Sequence, residues 1–406
     1  MRAFLERSLS HAWWWPLLLG LALRLCWMAW VPVQPVSDSH IYWAFATSIH
    51  EGKGYAYPDG TLTAFWPVGT SAFYAGGMAL LGEGFRSALY LNLAVFLLQV
   101  LALKGWATRL GYSLAQVNLV LWLFALWPVG IQYSTIVASE MLFNALWMSS
   151  LWLWPTTRQA SGVWRVALPA ALLVGAAYVR PTAMPLLVFM PLSAWLMHRS
   201  WQRSARDVLV ALVVAAGLLA PWAIRNKTAV SAYVPVSTNF GPNLWMGNNP
   251  ATQGGFMWLL PQEFPNEVER DRFYKKLAVD YIKADPAAFL RHGVKRAQQT
   301  FDRETIGVHW NLEGIRQSMG EAAVLPLKVL STGYWFGLAL LGVGGILARL
   351  ISTRGLSLLR DPAYWGAFGL FLAIPLITLG MDRFHLALNP LLMLAVPWWL
   401  MPQRGE

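Results

Sequence analysis

The chain is 406 residues long, 56% hydrophobic and only 13% charged, with a mean hydropathy of +0.43, whereas ordinary soluble domains carry about a quarter charged residues. That excludes a water-soluble globule. The net charge of +11 does not call for a nucleic-acid partner, because the cations are spread between apolar runs instead of being gathered on one face.

A helix that spans the hydrocarbon core needs about 20 apolar residues. Ten stretches approach this, at residues 12–32, 86–107, 114–129, 135–154, 166–180, 183–198, 207–224, 326–348, 362–380 and 384–401. The expected fold is therefore an all-α polytopic membrane protein with about ten transmembrane helices. The first stretch follows Arg2 and Arg7, is too long for a signal-peptide core and reads as a retained signal anchor. It holds Cys26, whose being the only cysteine excludes an intrachain disulfide or a cysteine metal cluster. It also holds Arg24, which is too deep to snorkel easily and is expected to pair inside the bundle.

Residues 33–85 form a long first loop with three polar groups of interest: Ser37-Asp38-Ser39-His40-Ile41-Tyr42, Glu51-Gly52-Lys53-Gly54-Tyr55 and Trp66-Pro67-Val68-Gly69. Asp38 sits a few residues past the first helix, where a carboxylate can act as a base at the bilayer surface. The bland alternative is a helix cap, and the two readings weigh about equally. Asp38, His40 and His50 are a weak set for a divalent cation. The apolar stretch 64–82 carries prolines and glycines and suggests an interfacial or re-entrant segment.

Glu140 is the one acid inside the run 135–154. If that run is helical throughout, Glu140 lies on the order of 10 Å from an end near Tyr133, and an acid within a span faces a polar interior or a neighbouring helix. Arg180, Arg225 and Arg383 fall at helix ends, where guanidinium forks suit a lipid phosphate or simply reach headgroups.

Between the seventh and eighth stretches lie about a hundred residues, 225–325, nearly balanced in charge. Asn266 with Glu269 makes a capping box, followed by Phe273, Leu277 and Tyr281 on one face. Asp285-Pro286 starts another helix with Phe289, Ala297 and Phe301 on one side, and its Arg291, His292, Lys295 and Arg296 suit either solvent or an anionic headgroup layer. The run from Asn239 to Gly255, with Asn248 inside it, either lines a sugar site or builds turns.

Lys and Arg concentrate in alternate short loops, among them Arg2, Arg7, Lys104, Arg109, Arg158, Arg165, Arg199, Arg203, Arg206, Arg349, Arg354, Arg360 and Arg404. By the positive-inside rule both termini are inside, and 33–85 and 225–325 are outside. Three regions follow: 1–225 with helices one to seven and the first outer loop, 226–325 as an outer domain, and 326–406 with the last three helices. Nucleotide-binding glycine loops, metalloprotease pairs and serine elbows are absent from the sequence.

The first-loop Asp38 with Tyr42, the turn Gly52 to Tyr55, the Trp66 to Gly69 run, Ser139-Glu140, Tyr178 to Pro181, Pro221 to Asn226, Asn243 to Pro250 and Asp382 to Pro390 together resemble the C-type (GT-C) glycosyltransferases. The bacterial branch related to protein mannosyltransferases and lipid A aminoarabinose transferases is the nearest in pattern. The resemblance implies a polyprenyl-phosphate-linked sugar as donor and a glycan, lipid or protein as acceptor. It also implies inverting transfer at the periplasmic face of a bacterial inner membrane, with Asp38 as general base. Glu140 and His40 are then second acids, orienters or ligands for Mg or Mn, and Arg180, Arg225, Arg383, Tyr42, Lys53 and Asn248 are candidate ligands of substrate or phosphate. Two departures stand out: Ser39 replaces the second of two adjacent acids found in protein mannosyltransferases, and Val68 replaces a proline found in many bacterial relatives. The rival readings are a transporter or flippase, whose broken helices pair in related halves, and a noncatalytic subunit of a glycan-assembly complex.

Overall fold

The computed structural model describes residues 13–155, 162–198, 200–355 and 361–401. Arg2, Arg7, Arg158, Arg199, Arg360 and Arg404 lie outside the described residues, so part of the charge count and the signal-anchor reading rest on sequence alone. Among the described residues the structure is helical, and its one β pairing is a single antiparallel bridge between Ala56 and Leu62.

Each of the ten apolar stretches contains a helix. They correspond to α1 (Trp14–Trp30), α4 (Phe85–Arg109), α5 with α6 (Leu114–Ala125 and Pro128–Gln132), α7 (Glu140–Leu153), α8 (Trp164–Val179), α9 (Leu186–His198), α10 (Trp201–Val230), α16 (Val324–Ser352), α17 (Pro362–Ile377) and α18 (Asn389–Leu400). Three helical segments, Phe85–Arg109, Trp201–Val230 and Glu321–Ser352, are long and apolar enough to cross a bilayer alone. Among the described residues the α5–α6 pair, bent by 59°, has the length and apolarity of a broken span or a re-entrant loop, and five more apolar helices are shorter. On α10, Leu209, Leu212, Val213 and Leu218 remain exposed, as do Val329, Phe336, Leu340 and Leu347 on α16. Such wide apolar faces suit lipid rather than water.

Helix ends follow local chemistry. Ser113 and Gln116 cap each other's backbone at the start of α5. In the long connection, the Asn266 side chain caps α12 (Glu267–Ala284), and Asp285 with Pro286 starts α13 (Pro286–Phe301). The capping box is only half made, since Glu269 turns away to Arg272 at 2.7 Å. The buried stripe of α12 is Val268, Tyr274 and Ala278, one position off the expected face, and Phe273 stays exposed.

The buried stripe of α13 is Ala288, His292, Arg296 and Thr300. His292 and Arg296 therefore do not lie on a headgroup layer. Arg296 reaches inward to the carbonyls of Gly247 (2.7 Å) and Leu376 (2.6 Å) and to Asn248 Oδ1 (2.7 Å). This places α13 across the end of α17. Gly247, Gly254 and Gly380 permit the closeness, because a β-carbon on any of them would lie within 2.5 Å of backbone atoms of Thr378, Lys295 or Arg296. The Asn239–Gly255 run thus builds turns and packing, with Asn248 donating to the carbonyls of Leu244 and Ile377, both at 2.9 Å.

Arg24 is buried in the bundle, but its partners are not acids. Its guanidinium donates to Gly20 O at 3.0 Å and lies 3.8 Å from the Phe96 ring centre. Carbonyls and an aromatic face stabilise the charge where a carboxylate was not needed.

Candidate active site

Asp38 begins α2 (Asp38–His50) through an unusual turn. Ser37 has φ 53° and ψ −131° and precedes a Val36 O to Ser39 N hydrogen bond of 3.0 Å, the geometry of a type II′ turn whose first central position favours glycine. The N–H groups of Ser39, His40 and Ile41 are met by the carbonyls of Val36 and Ser37. Asp38 is therefore in the first helical turn and does not cap it. Its Oδ2 accepts from Arg383 Nη1 at 2.7 Å.

Glu140 is not at mid-helix. The chain forms a short 3₁₀ turn at Tyr133–Thr135, runs irregularly through Ala138, and α7 starts at Glu140. The cause is Asn92 on α4, whose amide nitrogen faces the carbonyls of Tyr133 (3.4 Å), Ser134 (3.0 Å) and Ile136 (3.1 Å) and replaces their helical partners. The Glu140 carboxylate thus sits at a helix N-terminus, where negative charge is favoured. Its side chain is only 1% exposed, and burial at that depth requires a counter-charge.

Two arginines supply it. Arg180 ends α8 in extended backbone, as the residue before Pro181 must, and its Nη2 is 3.2 Å from Glu140 Oε1. Arg383, on the turn between α17 and α18, is 3.7 Å from the same oxygen, so it bridges Glu140 and Asp38. Burial alone would lower the Arg383 pKa, but the Asp38 and Glu140 carboxylates outweigh it and raise it. The guanidinium also lies 5.2 Å from the Trp310 ring centre. Tyr42, one turn beyond Asp38, is buried beside all four charges, and burial followed by Asp38 raises its phenol pKa. Polar capacity is left over: Glu140 Oε1 and Arg383 Nε have no hydrogen-bond partner.

The turn that carries Arg383 is fastened on both sides. Asp382 Oδ2 accepts from Thr305 N (3.1 Å) and Oγ1 (3.0 Å). His385 is fully buried and lies against Glu304 at 2.9 Å and the Thr300 carbonyl at 2.6 Å. Glu304 also accepts from Trp127 (2.6 Å) and Asn389 (2.8 Å). Beside the charges is an apolar cavity of about 530 Å³ between α3 (Gly69–Leu81), α4, α7 and α8. Leu142 and Val179 line it, two residues from Glu140 and one from Arg180 respectively. Gly69 sets its width, since a β-carbon there would meet the Tyr178 carbonyl carbon at 2.6 Å.

The structure thus gathers Asp38, Glu140, Arg180, Arg383 and Tyr42. Other sequence candidates lie elsewhere. Arg225 donates to the carbonyls of Thr63 (2.6 Å) and Tyr55 (2.7 Å) and staples the first loop, whose Thr63 also donates to Glu267 (2.7 Å). Lys53 pairs with Glu51 on the surface, His40 is exposed, His50 pairs with Glu83, and Asn248 is tied to Arg296. Among the described residues no three His, Cys, Asp or Glu side chains converge as a metal site. Sequence reading missed Glu304 and His385, which look like ordinary loop residues, and Trp310.

No protein-family model matches the chain, and no curated protein matches it. Solved structures do. An Archaeoglobus fulgidus oligosaccharyltransferase, in complex with Zn and sulfate, matches with a TM-score of 0.54 at 14% identity over 95% of this chain and 48% of that one. The Archaeoglobus fulgidus oligosaccharyltransferase AglB, bound to an inhibitory peptide and a dolichol-phosphate, matches with a TM-score of 0.51 at 14% identity, over 95% of this chain and 50% of that one. ArnT from Cupriavidus metallidurans, bound to undecaprenyl phosphate, matches at 13% identity with a TM-score of 0.46, over 96% of this chain and 78% of that one. The chain therefore shares the fold of the two archaeal oligosaccharyltransferase structures. It spans about half the length of the archaeal proteins.

Proposed function

We propose that this protein is an inverting glycosyltransferase that moves a sugar from a polyprenyl-phosphate carrier to a hydroxyl of a glycan, lipid or protein acceptor at the outer face of a bacterial inner membrane. The observation that carries the reading is the bridge of Arg383 between Asp38 and Glu140, with Arg180 alongside and an apolar cavity next to it. A base, an acid and two phosphate-matching cations beside an apolar cavity suit a substrate with a reactive phosphate on a hydrocarbon tail. The GT-C fold supports the same class.

Asp38 is the base. As the acceptor oxygen bonds to the anomeric carbon, its proton passes to Asp38 and the bond from that carbon to the phosphate oxygen breaks. The products are the inverted glycoside and free polyprenyl phosphate. Negative charge develops on the departing phosphate, where Arg180 and Arg383 stabilise it. Arg383 holds Asp38 in an ion pair before substrate arrives. An entering phosphate competes for that guanidinium and frees the carboxylate to accept a proton, so donor binding switches on the base. Glu140 keeps both arginines in place at the helix terminus. Among the described residues no three His, Cys, Asp or Glu side chains converge here, and the steps above run through Asp38, Glu140 and the two arginines.

The test is mass spectrometry of lipid that copurifies with the protein. A polyprenyl phosphate, bare or glycosylated, is expected. Its absence, together with failure of added polyprenyl phosphate to bind, contradicts the reading.

A further inference from the structure

Tyr133 lies on the 3₁₀ turn just before the irregular segment that presents Glu140. Its side chain is 2% exposed, and its hydroxyl has no hydrogen-bond partner. Burying an unpaired hydroxyl is unfavourable, and native structures rarely keep one without a use. The surroundings are charged: Glu140, Arg383 and Arg180 all act on this phenol electrostatically. The Trp310 indole ties two of the groups together, with the Tyr133 ring centre at 6.3 Å and the Arg383 guanidinium at 5.2 Å. Arg383 Nε is the second donor here with no acceptor. Asn92 fixes the backbone of this turn through the Tyr133 carbonyl, so the hydroxyl is held in place without being engaged.

Two unpaired donors against the same indole lack an acceptor. We propose that Tyr133 is a binding residue for the lipid phosphate, its hydroxyl donating to a non-bridging phosphate oxygen that also faces Arg383. The proposal deepens the glycosyltransferase reading and rests on it. An anion with acceptor-only oxygens satisfies both donors at once, which a hydrocarbon or a cation cannot do.

Tyr133→Phe isolates the hydroxyl because it keeps the ring and its contact with Trp310. Undecaprenyl phosphate binding to purified protein in detergent, measured by titration, is expected to weaken about tenfold, since hydrogen bonds to charged groups are the stronger ones. Thermal stability of the lipid-free variant is expected to equal or exceed that of wild type, because an unpaired buried hydroxyl has been removed. Equal lipid affinity in variant and wild type overturns the proposal and leaves the glycosyltransferase reading intact. A clear loss of stability in the lipid-free variant also overturns it, because the hydroxyl then has a partner within the protein. Failure of wild type to bind the lipid overturns the broader reading and this one with it.

Discussion

Arg383 Nη1 stands 2.7 Å from Asp38 Oδ2, joining the turn before the last helix to the start of the first loop across 345 positions of sequence. The pair closes the site from both ends of the chain. Arg383→Gln is expected to lower kcat/KM by about 10²–10³, the usual effect of losing a group that stabilises developing charge. Arg383→Lys keeps the charge but not the fork that reaches both acids, and should recover only part of the activity. Steady-state kinetics on both variants, with thermal unfolding as a control, checks this.

Gly69 faces the backbone of Tyr178 and Val179 with no room for a β-carbon. Gly69→Ala must push α3 away from the end of α8, which Arg180 follows directly. A loss of about 1–3 kcal/mol is expected from the overlap, read as a lower unfolding temperature in detergent together with reduced activity.

The buried Glu304–His385 pair fastens the turn that carries Arg383. His385 Nδ1 faces a carbonyl, which only accepts, so that nitrogen donates, and Nε2 lies 2.9 Å from Glu304 Oε2. Leaving one partner of a buried hydrogen-bonded pair unsatisfied costs about 1–3 kcal/mol. Glu304→Gln is expected to show a loss of that order and, because His385 lies two residues from Arg383, a loss of activity as well.

Stability should also respond to His292 on α13. Burial first, then Lys295, Arg296 and Arg291, lower its pKa below the ordinary value of 6.5. Below about 6.5 the unfolded chain takes up a proton that the folded one resists, so stability falls as pH drops through that value and levels off below the folded pKa. His292→Gln should flatten the acid limb of the unfolding-temperature profile between about pH 5 and 7.

Much of this site was legible as polarity out of place. Asp38, Glu140, Arg180 and Arg383 are each a charge at the edge of, or inside, an apolar stretch, and burial cost explains why such residues converge. Arg225 carried the same signal for a different reason, because loop carbonyls satisfy a guanidinium as well as a phosphate does, and sequence does not distinguish them. Glu140 looked mid-helical because the break before it comes from Asn92 on another helix, a tertiary cause without a local mark. The basic residues of α13 read as outward from sequence, whereas His292 is buried against Tyr281 and Arg296 points inward to carbonyls that close packing at Gly247 and Gly380 brings near. Tyr133 gave no signal, since an aromatic residue in an apolar run is ordinary until its hydroxyl is seen unpaired.

The central claim is that Asp38 takes the acceptor proton, and Asp38→Asn tests it most directly. The amide keeps the size of the side chain and can still meet Arg383 through its oxygen, so folding and lipid binding should survive. It cannot take a proton at neutral pH, and general-base assistance is worth about 10²–10⁴ in rate. Transfer from a mass-tagged polyprenyl-phosphate sugar by purified wild type and variant, with undecaprenyl phosphate binding as the control, is the measurement. The account predicts a fall in turnover of at least about a hundredfold with lipid binding retained; near-normal turnover would contradict it and leave Asp38 as no more than the ion-pair partner of Arg383.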